Sequence, residues 1–254
     1  MAAANEICRS ISAVGPRIGQ CYNRKEIADS MLTESQLRKY EQAAIAMAKA
    51  SGAILLEHFS KPLEISYISE NNRNPVTNAD KASDEYLRTT ISKQFPHDGI
   101  LSEESEQGDD QVNPVIWVID PLDGTSNFLK GLPMFAVLIS VLELGKPVVA
   151  AAFIPSIADP NGTVIHARIG AGSFENGRPL RIDNKEAPPR RMAAWPGYFL
   201  RMFSFHKSLR RRLGDVRVTG SAGYELALVA RGIFDCVGMH GCLIDTTPRQ
   251  RDRG

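Results

Sequence analysis

The sequence predicts a mixed α/β fold, and three features predict it. A long stretch from Glu34 to about Phe59 carries apolar residues at helical spacing: Leu37, Tyr40, Ala44, Met47, Ala48, Ala53, Ile54 and Leu55. Several short apolar runs, too short for helices, end abruptly at carboxylates or turns. Farther on, Val148–Ile154 and Thr163–Arg168 read as an antiparallel strand pair, with tight turns expected in the glycine-rich 170–174 segment and at Asn176-Gly177.

Taken in order, the long helix is followed by a short strand near 64–68. A helix then runs from Lys81 to Ile91, with Ala82, Tyr86, Leu87 and Ile91 on its apolar side and Asp80 in its first turn. Strands follow at 100–102, 116–120 and 136–144, the last one buried. Residues 185–215 are rich in Pro and Arg and suit an irregular connection and a helix. The Gly220-Ser221-Ala222 turn opens a helix from Glu225 to Arg231, and a strand at 233–237 completes the pattern.

Composition narrows the function. With 254 residues, 43% hydrophobic content and a formal net charge of +1, the chain can bury a sizeable core and is suited to neither nucleic acid nor membrane. Arg210, Arg211 and Arg212 lack the interleaved aromatic residues of a nucleic-acid patch. No apolar run approaches the ~20 residues that span a bilayer. Cys8, Cys21, Cys236 and Cys242 lack metal-knuckle spacing and read as reduced thiols of a cytoplasmic protein. Residues 1–30 have no signal-peptide core and are expected to be a disordered extension ahead of one domain over residues 31–254.

The chemistry concentrates at ends of elements. Trp117-Val118-Ile119-Asp120-Pro121-Leu122-Asp123-Gly124-Thr125 is an apolar strand running into two carboxylates three apart, then a Gly-Thr turn. Asp120 and Asp123 offer the hard oxygens that Mg²⁺ prefers. Pro121 stiffens the turn and turns the Leu122 carbonyl outward, while Gly124 and Thr125 offer backbone N–H groups to an anion. A second run, Ile100-Leu101-Ser102, ends in Glu103 and Glu104, and Pro75-Val76-Thr77-Asn78-Ala79-Asp80 supplies a third acid. His58, His97, His166, His206 and His240 fall in none of these motifs, which speaks against a histidine-based phosphatase.

From about Tyr40 to Asp245 the chain resembles the inositol monophosphatase family of lithium-sensitive, Mg²⁺-dependent phosphatases. The Asp120–Phe128 segment carries the resemblance, helped by 75–80, 101–104, 174–180 and Gly220-Ser221-Ala222. The resemblance implies a layered αβαβα sandwich of the sugar phosphatase type and hydrolysis of a small phosphate monoester by metal-activated water. It implies one Mg²⁺ held by Glu103, Asp120 and the Leu122 carbonyl, a second by Asp120 and Asp123, and a third, weaker ion beside Asp80 and Glu103. Thr125 with Asp80 would take the proton of the nucleophile, and Glu103 would anchor the metal. Leu122, Asp123, Gly124 and Thr125 would face the phosphate, with Arg217, Gly220, Ser221 and Ala222 on the alcohol side. A homodimer is the expected assembly.

The chain departs from that pattern near its end. Family members carry Trp-Asp-x-Ala-Ala/Gly, whose aspartate completes the second metal site, and the nearest match here is Asp245 in Met239-His240-Gly241-Cys242-Leu243-Ile244-Asp245. The C-terminal lobe is accordingly expected to be incomplete. Gly238 and Met239 stand where inositol phosphatases place a ring-binding glutamate. Thr125-Ser126-Asn127-Phe128 favours the inositol phosphatase branch, so a sugar or polyol monophosphate such as inositol monophosphate is the first expectation. Histidinol phosphate and 3′-phosphoadenosine 5′-phosphate are alternatives within the same chemistry, and a catalytically weakened binding or regulatory relative is the alternative of another class.

Overall fold

The computed structural model describes residues 32–59, 61, 65–67, 75–104, 113–181, 191–195, 213–239 and 242–245. Helix α1 (Glu34–His58) starts where Thr33 accepts from Gln36 N (3.3 Å) and the Gln36 side chain accepts from Thr33 N (2.9 Å), a reciprocal capping box. Its buried face, Leu37, Tyr40, Ala44, Met47, Ala48, Ser51, Gly52 and Leu55, follows the apolar stripe except at Ala53 and Ile54, which lie outside it.

Strands β1 (Ile65–Tyr67) and β2 (Pro75–Thr77) form an antiparallel pair that feeds helix α2 (Asn78–Gln94). The helix begins three residues earlier than the sequence suggests, because Thr77 caps it by accepting from Ala79 N and Asp80 N.

The main sheet has seven strands in chain order: β3 (Gly99–Ser102), β4 (Val115–Asp123), β5 (Ala136–Glu143), β6 (Lys146–Ile154), β7 (Thr163–Arg168), β8 (Gly172–Glu175) and β9 (Arg178–Pro179). Only β3 and β4 run parallel; the other neighbours are antiparallel hairpins, including the expected β6–β7 pair. Where turns alone are predicted across 170–177, the chain forms the short strands β8 and β9, with the turns confined to 170–171 and 176–177. Backbone pairing to β7 decides this, since Phe174 lies opposite His166 and Ser173 opposite Ala167.

Alternation along the strands sorts side chains to two faces. Val137, Ile139, Val141, Val149, Ala151, Phe153 and Val164 pack with α1 and α2, while Ala136, Ile154 and Ile165 pack with Ala227 on helix α4 (Ala222–Ala230). The other side of α4, through Val229, joins Phe234 of the following turn and Ala194 and Val237 of a four-stranded sheet. That sheet runs in the order β11 (Leu213–Arg217), β10 (Arg191–Ala194), β12 (Cys236–Met239), β13 (Cys242–Asp245). The described residues thus build helices, sheet, helix and sheet in sequence, matching the inferred layered α/β architecture.

Two segments in the irregular 185–215 region are therefore strands, parallel to each other, with β10 between β11 and β12. Helix α4 begins at Ala222 rather than Glu225, and the following strand starts at Cys236 rather than 233 because Gly232 (φ +70) and two N–H bonds onto the Leu228 carbonyl hold Ile233 and Phe234 in a turn. The expectations placed on residues 1–30, Cys8, Cys21, His206, Arg210–Arg212, His240 and everything after Asp245 lie outside the described residues.

Two aromatic clusters fix the helices on the sheet. Tyr40, Phe95 and Trp117 meet at centroid separations of 4.7, 5.7 and 5.0 Å, and Phe59, Phe128 and Phe135 at 5.4, 5.3 and 5.0 Å. Each such contact adds about 0.5–1.5 kcal/mol beyond area burial. The second trio includes Phe128, fully buried directly behind the acidic turn, so the turn is tied to the core.

Candidate active site

The acidic turn is built by interrupting a strand. Pro121 has no N–H for the ladder, and pairing of β4 to β5 skips from Asp120 opposite Leu138 to Asp123 opposite Ala136. The Leu122 N–H turns back to Asp120 Oδ1 (3.1 Å). Gly124 then takes the left-handed conformation (φ +89) and caps the short helix α3 (Thr125–Leu129). Only glycine fits there: a Cβ would lie 2.9 Å from both the Met134 carbonyl and Ser221 Cβ.

Two further elements, α2 and β3, bring acids to this turn. Asp80, fully buried in the first turn of α2, accepts from Thr77 N (2.8 Å) and from the Thr77 hydroxyl. Its other oxygen lies 3.5 Å from Thr125 Oγ1, whose single proton has a nearer acceptor in the Leu122 carbonyl at 3.1 Å. Glu103 follows β3, with its N–H on the Ile119 carbonyl (3.1 Å) and its carboxyl hydrogen-bonded to that of Asp120. Asp123 faces the start of α4 instead: its Oδ2 accepts from Ser221 Oγ and Gly223 N, both at 2.6 Å. The approach is close, since a Cβ on Gly223 would sit 3.0 Å from that oxygen.

The electrostatics are those of acids crowded together. Burial, then the charges of Glu103 and Asp123, push Asp120 well above the usual carboxylate range, although it keeps some surface open to solvent. Burial likewise raises Glu103, with Asp123 and Asp80 adding to it and the bond to Asp120 opposing. Asp80 and Asp123 are raised by burial against the hydrogen bonds they accept. Glu104 is pushed up to about 7 by burial and then by Asp80, Glu103 and Asp84.

Among the described residues, none of Asp80, Glu103, Asp120 and Asp123 is ion-paired with Lys or Arg, and the pairs that exist lie elsewhere. Nor do three acidic, His or Cys side chains among them already stand in one coordination sphere; the acids meet pairwise. The donor set is nevertheless all oxygen and uncompensated, the chemistry that suits a hard divalent cation. Asp123 offers it one oxygen, Oδ1, the other being engaged by α4.

The turn Gly220-Ser221-Ala222 abuts this cluster. Gly220 is left-handed (φ +82), Ser221 caps α4 by accepting from Tyr224 N (3.2 Å), and Asn127 ties the two halves together by donating to the Met134 (2.7 Å) and Thr219 (2.8 Å) carbonyls. Arg217, at the end of β11, is exposed and donates to the Val216 carbonyl (3.2 Å). The backbone of Asp245 ends β13, paired with Cys236; its side chain lies outside the described ones.

Sequence reasoning misses several buried polar residues that support the site. Ser51 and Ser83 are fully buried, and Glu225 accepts from Thr219 N (2.9 Å) and Oγ1 (2.8 Å) beneath the Gly220 turn. Ser83 sits one position from Ala82, on the apolar side of α2, and a serine there is the one signal that would have flagged it.

The fold and the acidic turn together define a phosphatase-type hydrolase. Residues 36–246 match the inositol monophosphatase family, and the chain belongs to it. It is 33% identical over 198 residues to the Nus factor SuhB of Escherichia coli (76% of this chain, 73% of the relative). It is 29% identical over 208 residues to the fructose-1,6-bisphosphatase/inositol-1-monophosphatase of Aquifex aeolicus (78% and 76%). The crystal structure of the extragenic suppressor protein suhB from Bartonella henselae superposes with a TM-score of 0.67 at 27% identity, covering 78% of this chain and 77% of that one. With the family comes its class of activity, Mg²⁺-dependent hydrolysis of phosphomonoesters. Among the described residues no helix is long and apolar enough to cross a membrane.

Proposed function

We propose that the chain hydrolyses a small sugar or polyol monophosphate, with inositol monophosphate the first substrate to test. The observation that carries the reading is the gathering of Asp80, Glu103, Asp120 and Asp123 from three elements, with no Lys or Arg among the described residues ion-paired to them. Glu103, Asp120, Asp123 and the Leu122 carbonyl would hold Mg²⁺ as two ions, with Asp245 completing the second and a third beside Asp80 and Glu103. When bound, Mg²⁺ supplies positive charge for the phosphoryl oxygens and a water acidic enough to attack at neutral pH.

The remaining roles belong to the protein. Thr125 relays the proton of the attacking water to Asp80, which requires its hydroxyl to rotate from the Leu122 carbonyl toward Asp80. Burial makes Asp80 a stronger base than an ordinary carboxylate. The N–H groups of Gly124 and Thr125 orient the phosphate, while Gly220, Ser221, Ala222 and Arg217 lie toward the alcohol. The same proposal covers a homodimer in the cytoplasm and a single domain over residues 31–254.

The test is phosphate release with and without Mg²⁺ from inositol 1-phosphate, histidinol phosphate and 3′-phosphoadenosine 5′-phosphate. Preference for the first supports the assignment; preference for either of the others replaces it. Mg²⁺ binding without release from any would point to a binding or regulatory relative.

A further inference from the structure

The Pro121–Leu122 peptide lies between Asp120 and Asp123, and serines outside every motif hold it from behind. Because the β4–β5 ladder skips this peptide, the Pro121 carbonyl needs another partner. Ser83 Oγ on α2 donates to it at 2.9 Å. The same Oγ lies 2.5 Å from Ser51 Oγ on α1, and both serines are fully buried.

The direction of this chain of bonds follows from counting protons. A hydroxyl has one, and a carbonyl only accepts. The Ser83 proton is therefore committed to Pro121, and Ser51 must donate to Ser83. The order is Ser51 to Ser83 to Pro121. Since the peptide unit is planar, fixing the Pro121 carbonyl also fixes the Leu122 N–H on its opposite edge, which donates to Asp120 Oδ1 at 3.1 Å.

We infer that Ser83 is a positioning residue: by clamping the Pro121–Leu122 peptide it aims the Asp120 carboxylate, with Ser51 orienting Ser83. Ser83 touches no reacting atom, and the inference rests on Asp120 being a Mg²⁺ ligand. Hydrogen bonds behind metal ligands commonly set affinity by about 10–100-fold.

The experiment measures Mn²⁺ binding by electron paramagnetic resonance, with Mg²⁺ as competitor, on the full chain and on Ser83→Ala and Ser51→Ala, alongside urea unfolding of each. Ser83→Ala should weaken Mn²⁺ binding on the order of tenfold. Ser51→Ala keeps the Ser83–Pro121 bond and should change it by less than about threefold, at a similar loss of stability. Native affinity in Ser83→Ala, or affinity that merely follows stability in both variants, overturns the clamp. Should Ser83→Ala not fold, Ser83→Cys, of similar size with a weaker donor, is read by the same criteria. If the unsubstituted chain binds neither ion, the metal reading fails. Hydrogen exchange at the Leu122 amide then decides the clamp: faster exchange in the Ser83 variant upholds it, and unchanged exchange sinks it.

Discussion

Two groups of acids in this molecule have opposite surroundings. On the outer side of the main sheet, Glu41 receives Arg168 Nε (2.8 Å) and His166 Nδ1 (2.9 Å), and Arg168 Nη1 reaches Glu34 (2.6 Å). The bonds from Arg168 and then Arg38 hold the Glu34 carboxyl below its ordinary range. At the acidic turn, Asp120 and Glu103 share a hydrogen bond with each other, and burial and neighbouring charge push both upward. The first group is complete within the protein and serves the fold, pinning α1 to β7. The second costs the metal-free fold energy, because acids are brought together with no Lys or Arg ion-paired to them among the described residues. That difference separates a structural ion pair from a site that needs a cation from outside.

The sharpest test of the contrast is Asp120→Asn. Phosphate release should fall by at least about 10³-fold, while urea unfolding without metal shows equal or higher stability, because a buried acid crowded by Glu103 and Asp123 gives way to a neutral amide. Asp123→Asn should retain more activity but lose stability, since its carboxylate also holds α4 through Ser221 and Gly223. If the two variants were indistinguishable in both assays, the division of roles would fail. Thr125→Ala should lower turnover by about 10²–10³-fold with little change in the Mg²⁺ concentration needed for half-maximal rate. A raised Mg²⁺ requirement at unchanged turnover would make Thr125 a structural residue.

The pH dependence of stability distinguishes the groups without reference to catalysis. A carboxyl whose folded-state pKa lies above its unfolded value contributes stability at low pH that is lost as pH rises through the folded value. Glu104, raised to about 7 from 4.5, and Glu103, Asp80 and Asp120, raised in the same direction, act together. Metal-free melting temperature should therefore decline as pH rises from about 4.5 to 7. Added Mg²⁺, which favours the ionised acids, should restore more of it at pH 8 than at pH 5. A melting temperature that climbed across this range without metal would contradict the account.

Smaller effects belong to the paired group. Arg168→Met should cost about 1–3 kcal/mol of unfolding free energy by leaving Glu41 without its main partner, with turnover per folded molecule unchanged. The exposed Arg38 beside Glu34 is the weakest element, and Arg38→Ala should shift stability by less than about 0.5 kcal/mol. Denaturant titration and phosphate release on the same preparations check both.

Much of this was legible in the chain itself. The α1 stripe, the β6–β7 pair, the Asp120–Phe128 motif and membership of the inositol monophosphatase family are local patterns, in which spacing and turn residues suffice. Less legible were the elements whose stability comes from distant partners. Strands β10 and β11 exist because they pair with each other and β10 also pairs with β12, and nothing in their Pro- and Arg-rich surroundings announces it. Helix α4 starts at Ala222, despite glycine at the next position, because Ser221 caps it and Asp123, 100 residues away, accepts the Gly223 N–H.

The sequence by itself determined which acids the molecule has and that each lies at the end of an element, since strand, turn and cap signals act over a few residues. Tertiary structure alone decided how each acid is used. Asp120 and Asp123 occupy one turn and look equivalent on paper. Yet Asp120 is turned toward Glu103 by the peptide that Ser83 holds, and Asp123 toward the amides of α4. A carboxylate goes where donors and charges satisfy it, and those come from segments that only the folded chain brings within hydrogen-bonding distance.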